Sequence, residues 1–119
     1  MNPVQILYHG TSLEYTESIE KNGLLKMNND KVYLTADLNV AYEYAKQRTK
    51  QSNSEQPVIC IIDAPLMVKD GILFEHSQTY AEYTTDNVPS KYILQVAIES
   101  EDDLKMLTTG IEEVIRNLN

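Results

Sequence analysis

The sequence predicts an α+β domain, with two small packed sheets and flanking helices, and three observations carry that prediction. Short apolar stretches alternate with helix-period stretches at first, and then follow one another as consecutive strands. Helix-start signals precede each amphipathic segment, and turn residues separate the later strands. A length of 119 residues is read as one domain over 1–119, with no internal repeat or linker.

Val4 to His9 reads as the first strand, with apolar Val4, Ile6 and Leu7. Thr11 followed by Glu14 is a capping-box pattern, which predicts a helix from Ser12 to Asn22, closed by Gly23. Lys31 to Thr35 is a second strand. Asp37 then caps a helix through Gln51, in which Leu38, Ala41, Tyr42 and Ala45 recur at helical spacing. Gln51 to Gln56 is a polar loop, and Pro57 to Asp63 a buried strand. Asp70-Gly71 marks a turn before a strand from Ile72 to Glu75. Tyr80 to Thr84 and Lys91 to Glu99 are further strands, with a turn at Asp86 to Pro89. Ser100 with Asp103 caps a last helix, whose apolar face is Leu104, Leu107, Ile111, Val114, Ile115 and Leu118.

Composition narrows the function. Eighteen acidic residues against ten basic give a net charge of −8, which disfavours nonspecific nucleic-acid binding. Arg48 and Arg116 are the only arginines. His9 and His76 are the only histidines, and neither belongs to a metal-ligand pattern, so no metal is expected. Cys60 has no partner for a disulfide. The longest apolar run, Val58 to Ile62, is far short of a membrane span, and no secretory signal opens the chain. A cytoplasmic protein that does not engage membranes is expected.

Three segments carry chemistry. His9-Gly10 at a strand end sets a hydrogen-bonding ring beside a backbone that a flat ligand can approach, although a strand-end histidine is more often an ordinary packed residue. Tyr33 on a strand and Tyr44 on the next helix can sandwich a planar cationic ring. Tyr42 falls on the apolar stripe and reads as core instead. Glu82, within Tyr80-Ala81-Glu82-Tyr83-Thr84-Thr85, is a carboxylate in a strand where structure alone gives it no purpose beyond an exposed edge.

In order, Tyr8-His9-Gly10-Thr11, Gly23-Leu24 and Val32-Tyr33-Leu34-Thr35 resemble the ADP-ribosyltransferase superfamily, and its poly(ADP-ribose) polymerase branch in particular. The resemblance implies a His-Tyr-Glu triad of His9, Tyr33 and Glu82 and an ADP-ribosyltransferase-like fold. Asp63-Ala64, Met67, Asp70-Gly71, Phe74, Ser77, Thr85, Val88-Pro89 and Tyr92-Ile93 are similar instead to the RNA 2′-phosphotransferase family, which also uses NAD. That family has a histidine where Tyr33 stands and a hydrophobic residue where Glu82 falls. It also carries a basic N-terminal lobe and several arginines that hold RNA phosphates. Here only eight residues precede His9, and no arginine precedes Arg48.

Those departures favour a mono-ADP-ribosyltransferase, a glycosyltransferase of the pentosyl class, with NAD as co-substrate and an unspecified protein as acceptor. Nucleic acid is an unlikely partner on this reading. Nicotinamide is already a cationic leaving group, so positive charge grows on the ribose, and Glu82 is expected to stabilise it through the ribose 2′-hydroxyl. The resemblance implies that His9 holds the adenosine ribose and that Gly10 pairs with the nicotinamide amide. Tyr33 and Tyr44 stack on nicotinamide, and Thr11 and Thr35 orient the riboses. The arginine-directed pattern is missing at Tyr80, and a polymerase-like serine is replaced by Ala41. Hydrolysis of NAD by water therefore stays open. The alternatives are an RNA 2′-phosphotransferase-like enzyme, a non-catalytic NAD- or ADP-ribose-binding module, or an unrelated α+β interaction domain.

Overall fold

The computed structural model describes residues 5–26, 30–52, 56–76 and 82–117, with side chains of the last helix described as far as 113. Six antiparallel strands form one sheet in the order β4-β5-β2-β1-β3-β6. These are β1 (Leu7–Ser12), β2 (Val32–Thr35), β3 (Pro57–Ile62), β4 (Glu75–His76), β5 (Glu82–Thr85) and β6 (Ile93–Ala97). Between them run helices α1 (Thr16–Asn22), α2 (Leu38–Ser52), α3 (Ala64–Lys69) and α4 (Glu101–Asn117).

The α+β class is as expected, but the two small sheets are halves of a single one. β4-β5-β2 and β1-β3-β6 meet at one register pair, Tyr8 opposite Thr35. Alternation along the central strands sends side chains to two cores. Leu7, Cys60 and Ile62 face one core with Ile19, Leu24, Met67 and Tyr92. Tyr8 and Ile59 face the other with Ala41 and Ala45 of α2, Ile98, and Leu104 of α4. β3 reads as a continuous apolar run because both of its faces are covered. Burial pushes the Cys60 thiol up to about 12.

Local differences from expectation have physical reasons. β1 begins later and runs through Gly10 to Ser12, because its partner β3 supplies a full ladder to Pro57. Thr11 is therefore a buried strand residue opposite Val58, not a helix cap, and a 3₁₀ turn at Leu13–Tyr15 precedes α1. α3 was not expected. Asp63 caps it by accepting from the Leu66 N–H at 3.2 Å, and Pro65 lies in the first turn, where its missing N–H costs nothing. Tyr80, Ser77, Val4, Leu118 and the side chains of Val114 and Ile115 lie outside the described residues.

Segments far apart in the chain form one brace. Leu24 and Val88 exchange both backbone hydrogen bonds, at 2.9 and 2.8 Å. Gly23 precedes that bridge at a φ of 74°, and a Cβ there would collide with the Val88 carbonyl. The Tyr92 hydroxyl donates to Asp70 at 2.6 Å, and the Asp63 N–H donates to the Tyr92 carbonyl at 2.9 Å. Asp63, Asp70, Val88 and Tyr92 thus tie separate segments of the scaffold together.

Candidate functional site

After Tyr8 and Thr35, β1 and β2 stop pairing and diverge. The His9 side chain bridges the gap: its Nδ1–H donates to the Tyr33 carbonyl at 3.0 Å. A carbonyl only accepts, so Nδ1 carries the hydrogen, and Nε2 of the neutral ring is left as an acceptor. Burial lowers the His9 pKa below the ordinary 6.5, against the Tyr33 hydrogen bond, and the positive charge of Arg48 lowers it further.

A helix lies directly across this split. Gly10 faces α2 so closely that a Cβ would collide with the Ala41 carbonyl and come within 2.6 Å of the Ala45 nitrogen. Gly10, Ala41 and Ala45 are thus the small residues that let helix and strand meet. Thr35 fixes the start of α2: its hydroxyl accepts from the Asp37 N–H at 3.0 Å, and Asp37 in turn accepts from the Asn39 N–H at 2.9 Å.

Between the split and the helix lies a cleft of about 980 Å³. His9, Gly10, Tyr33, Thr35, Tyr44 and Glu82 all line it. Tyr33 and Tyr44 leave their rings half exposed, at 48% and 55%. The Tyr33 hydroxyl donates to Asp30 at 2.8 Å, and that carboxylate raises the Tyr33 pKa. Glu82 stands opposite Thr35 in the β2–β5 ladder. Thr11 is not on the wall, so its expected contact with a ribose is corrected: the β1–β3 ladder buries it. Tyr42 packs with the second core, under Lys46 at 4.8 Å from its ring.

Sequence reasoning missed most of the helical wall. Val40, Tyr44, Gln47, Arg48 and Gln51 line the cleft together with Asp37. Their spacing of three and four is the signal that would have found them, once Tyr44 was placed at the site. Arg48 lies with its guanidinium carbon 5.1 Å from the centre of the Tyr15 ring.

A family model described as RNA 2′-phosphotransferase, Tpt1/KptA family, matches residues 2–84. The chain belongs to the Tpt1/KptA family. Proteins named probable RNA 2′-phosphotransferase are similar to it in Fusobacterium nucleatum, 38% identical over 91 residues, and in Flavobacterium johnsoniae, 36% identical over 91 residues. Each alignment covers 76% of the chain, and 48% and 46% of the respective relative. A protein of Archaeoglobus fulgidus named probable RNA 2′-phosphotransferase 2 is 39% identical over 87 residues, covering 73% of the chain and 37% of that protein. The chain thus spans about half the length, or less, of these curated relatives.

Membership of the Tpt1/KptA family overturns the expected protein mono-ADP-ribosyltransferase. It overturns the protein acceptor and the exclusion of nucleic acid as well, since family and relatives alike are named for RNA. The expectation weighed the net charge of the whole chain and the scarcity of arginine. Neither describes the local field of a cleft whose wall carries Arg48. Tyr33 and Glu82, the two departures that favoured the other branch, line this Tpt1/KptA cleft as individual residues.

Proposed function

We propose that this chain binds NAD in the cleft and uses it to take up a 2′-phosphate from RNA. The observation that carries this reading is the family match over 2–84, which spans the residues of the cleft wall from Tyr8 to Glu82. The donor set suits NAD. A neutral His9 with Nε2 free accepts from ribose hydroxyls, and the exposed faces of Tyr33 and Tyr44 suit a flat cationic ring. When bound, NAD would supply an electrophilic ribose carbon that carries nicotinamide as its leaving group toward a phosphate oxygen, and ribose hydroxyls able to displace the RNA 2′-oxygen from that phosphate.

The chain's own residues hold and polarise. His9 fixes the adenosine ribose, and Gly10 offers main-chain groups to the nicotinamide amide. The Thr35 hydroxyl accepts from Asp37 and keeps its proton to donate toward a ribose. Glu82 stabilises positive charge on the reacting ribose, a contribution of several kcal/mol in a preorganised site. Arg48 is the described arginine of the cleft, and its planar donors suit the RNA phosphate.

Thermal unfolding with added NAD tests the reading. Ligand binding only to the folded state raises stability by about 2.7 kcal/mol at a hundredfold excess over Kd. His9→Ala is expected to lose most of the shift, while Glu82→Gln keeps it, because the carboxylate acts on the developing cation. No shift at millimolar NAD overturns the reading.

A further inference from the structure

We propose that Tyr15 is a positioning residue for Arg48: its ring supports the flat face of the guanidinium, so that the N–H edge is presented to the phosphate in the cleft. The inference rests on the reading of Arg48 given above and adds a residue outside the cleft wall. Arg48 is exposed on α2, and among the described residues its guanidinium makes no ion pair, whereas Lys21, Lys26, Lys31 and Lys46 all do. A long, exposed side chain samples many rotamers, and fixing it costs entropy at the moment of binding.

Tyr15 removes part of that cost. It sits in the 3₁₀ turn just after β1, with its ring half-buried against the first core, so the platform itself is held. The guanidinium carbon lies 5.1 Å from the ring centre, within cation–π range. Arg48 is felt at both ends of this arrangement, since its charge opposes the rise of the Tyr15 pKa caused chiefly by Glu14 and lowers that of His9. Stacking occupies the face of the guanidinium and leaves its in-plane donors free, which is the edge that a phosphate takes in bidentate fashion. One cleft-lining residue on α2 is thereby tied to the turn that follows β1.

The test compares binding of two oligoribonucleotides, identical except for one internal 2′-phosphate. Wild type is expected to prefer the phosphorylated strand. Tyr15→Phe keeps that preference because the ring remains, and Tyr15→Leu reduces it by roughly tenfold, the scale of a partly desolvated cation–π contact. NAD affinity stays unchanged in both. Because Tyr15 also touches the core, Arg48→Lys provides a second variant that leaves core packing alone; it retains the charge, loses the flat stacking face, and is expected to lose the preference as well. Full preference in Tyr15→Leu or in Arg48→Lys overturns the proposal, and so does a loss in Tyr15→Phe equal to that in Tyr15→Leu. A wild type indifferent to the 2′-phosphate overturns the parent reading and this inference together.

Discussion

His9 is fixed by one contact, the 3.0 Å bond from Nδ1 to the Tyr33 carbonyl, and by burial that keeps its ring neutral. Its pKa in the folded chain lies below 6.5, so the unfolded chain takes up this proton first as pH falls. The resulting stability is complete above 6.5 and is lost as pH falls through the folded value. Melting temperature should therefore drop between about pH 7 and pH 5 more steeply in wild type than in His9→Gln. Parallel profiles for the two would contradict a neutral, partly buried ring. The residue itself was legible in the sequence, as the histidine of Tyr8-His9-Gly10-Thr11. Its tautomer was not, because the acceptor is a main-chain carbonyl on another strand.

α2 makes the wall of the cleft, and it can do so only because Gly10 allows it to lie on β1. Gly10→Ala places a methyl against the Ala41 carbonyl and is expected to destabilise the fold by about 3 kcal/mol. Gly110→Ala meets nothing within 4 Å in an exposed stretch of α4, and should stabilise by about 1 kcal/mol. Chemical denaturation of the two variants checks both signs; equal shifts would contradict the packing role of Gly10. α2 was legible from Asp37 and its apolar stripe, and the Ser100–Asp103 cap of α4 forms as read, with the Asp103 N–H 3.4 Å from the Ser100 hydroxyl. α3 was not legible, since Ala64–Lys69 is too short to declare a helical period and carries Pro65 in its first turn, directly after a strand. Gly10 had been read as a place for ligand approach. It does line the cleft, and the side where a Cβ would stand also packs on helix backbone, a contact that no local pattern records.

At the scale of the whole molecule, a chain of net charge −8 carries a cleft with Arg48, Asp37 and Glu82 on its wall. No helix among the described residues is long and apolar enough to cross a membrane. The strand-borne cleft residues were legible, because short motifs mark β1 and β2, which border the split, and β5, which pairs with β2; most of the helical wall was not. The choice between acceptors was not legible. It was argued from total charge and from Tyr33 and Glu82, whereas the family match runs over 2–84 and so takes in the brace residues Asp63 and Asp70 as well. Those residues hold the scaffold and do not line the cleft, so a search for reactive side chains passes over them. The most direct measurement is release of free nicotinamide from NAD, with an oligoribonucleotide that carries one internal 2′-phosphate and with the same strand lacking it. The account predicts release that requires the 2′-phosphate and matches its removal from RNA. Equal release from both mixtures, or loss of the phosphate without release of nicotinamide, would contradict it.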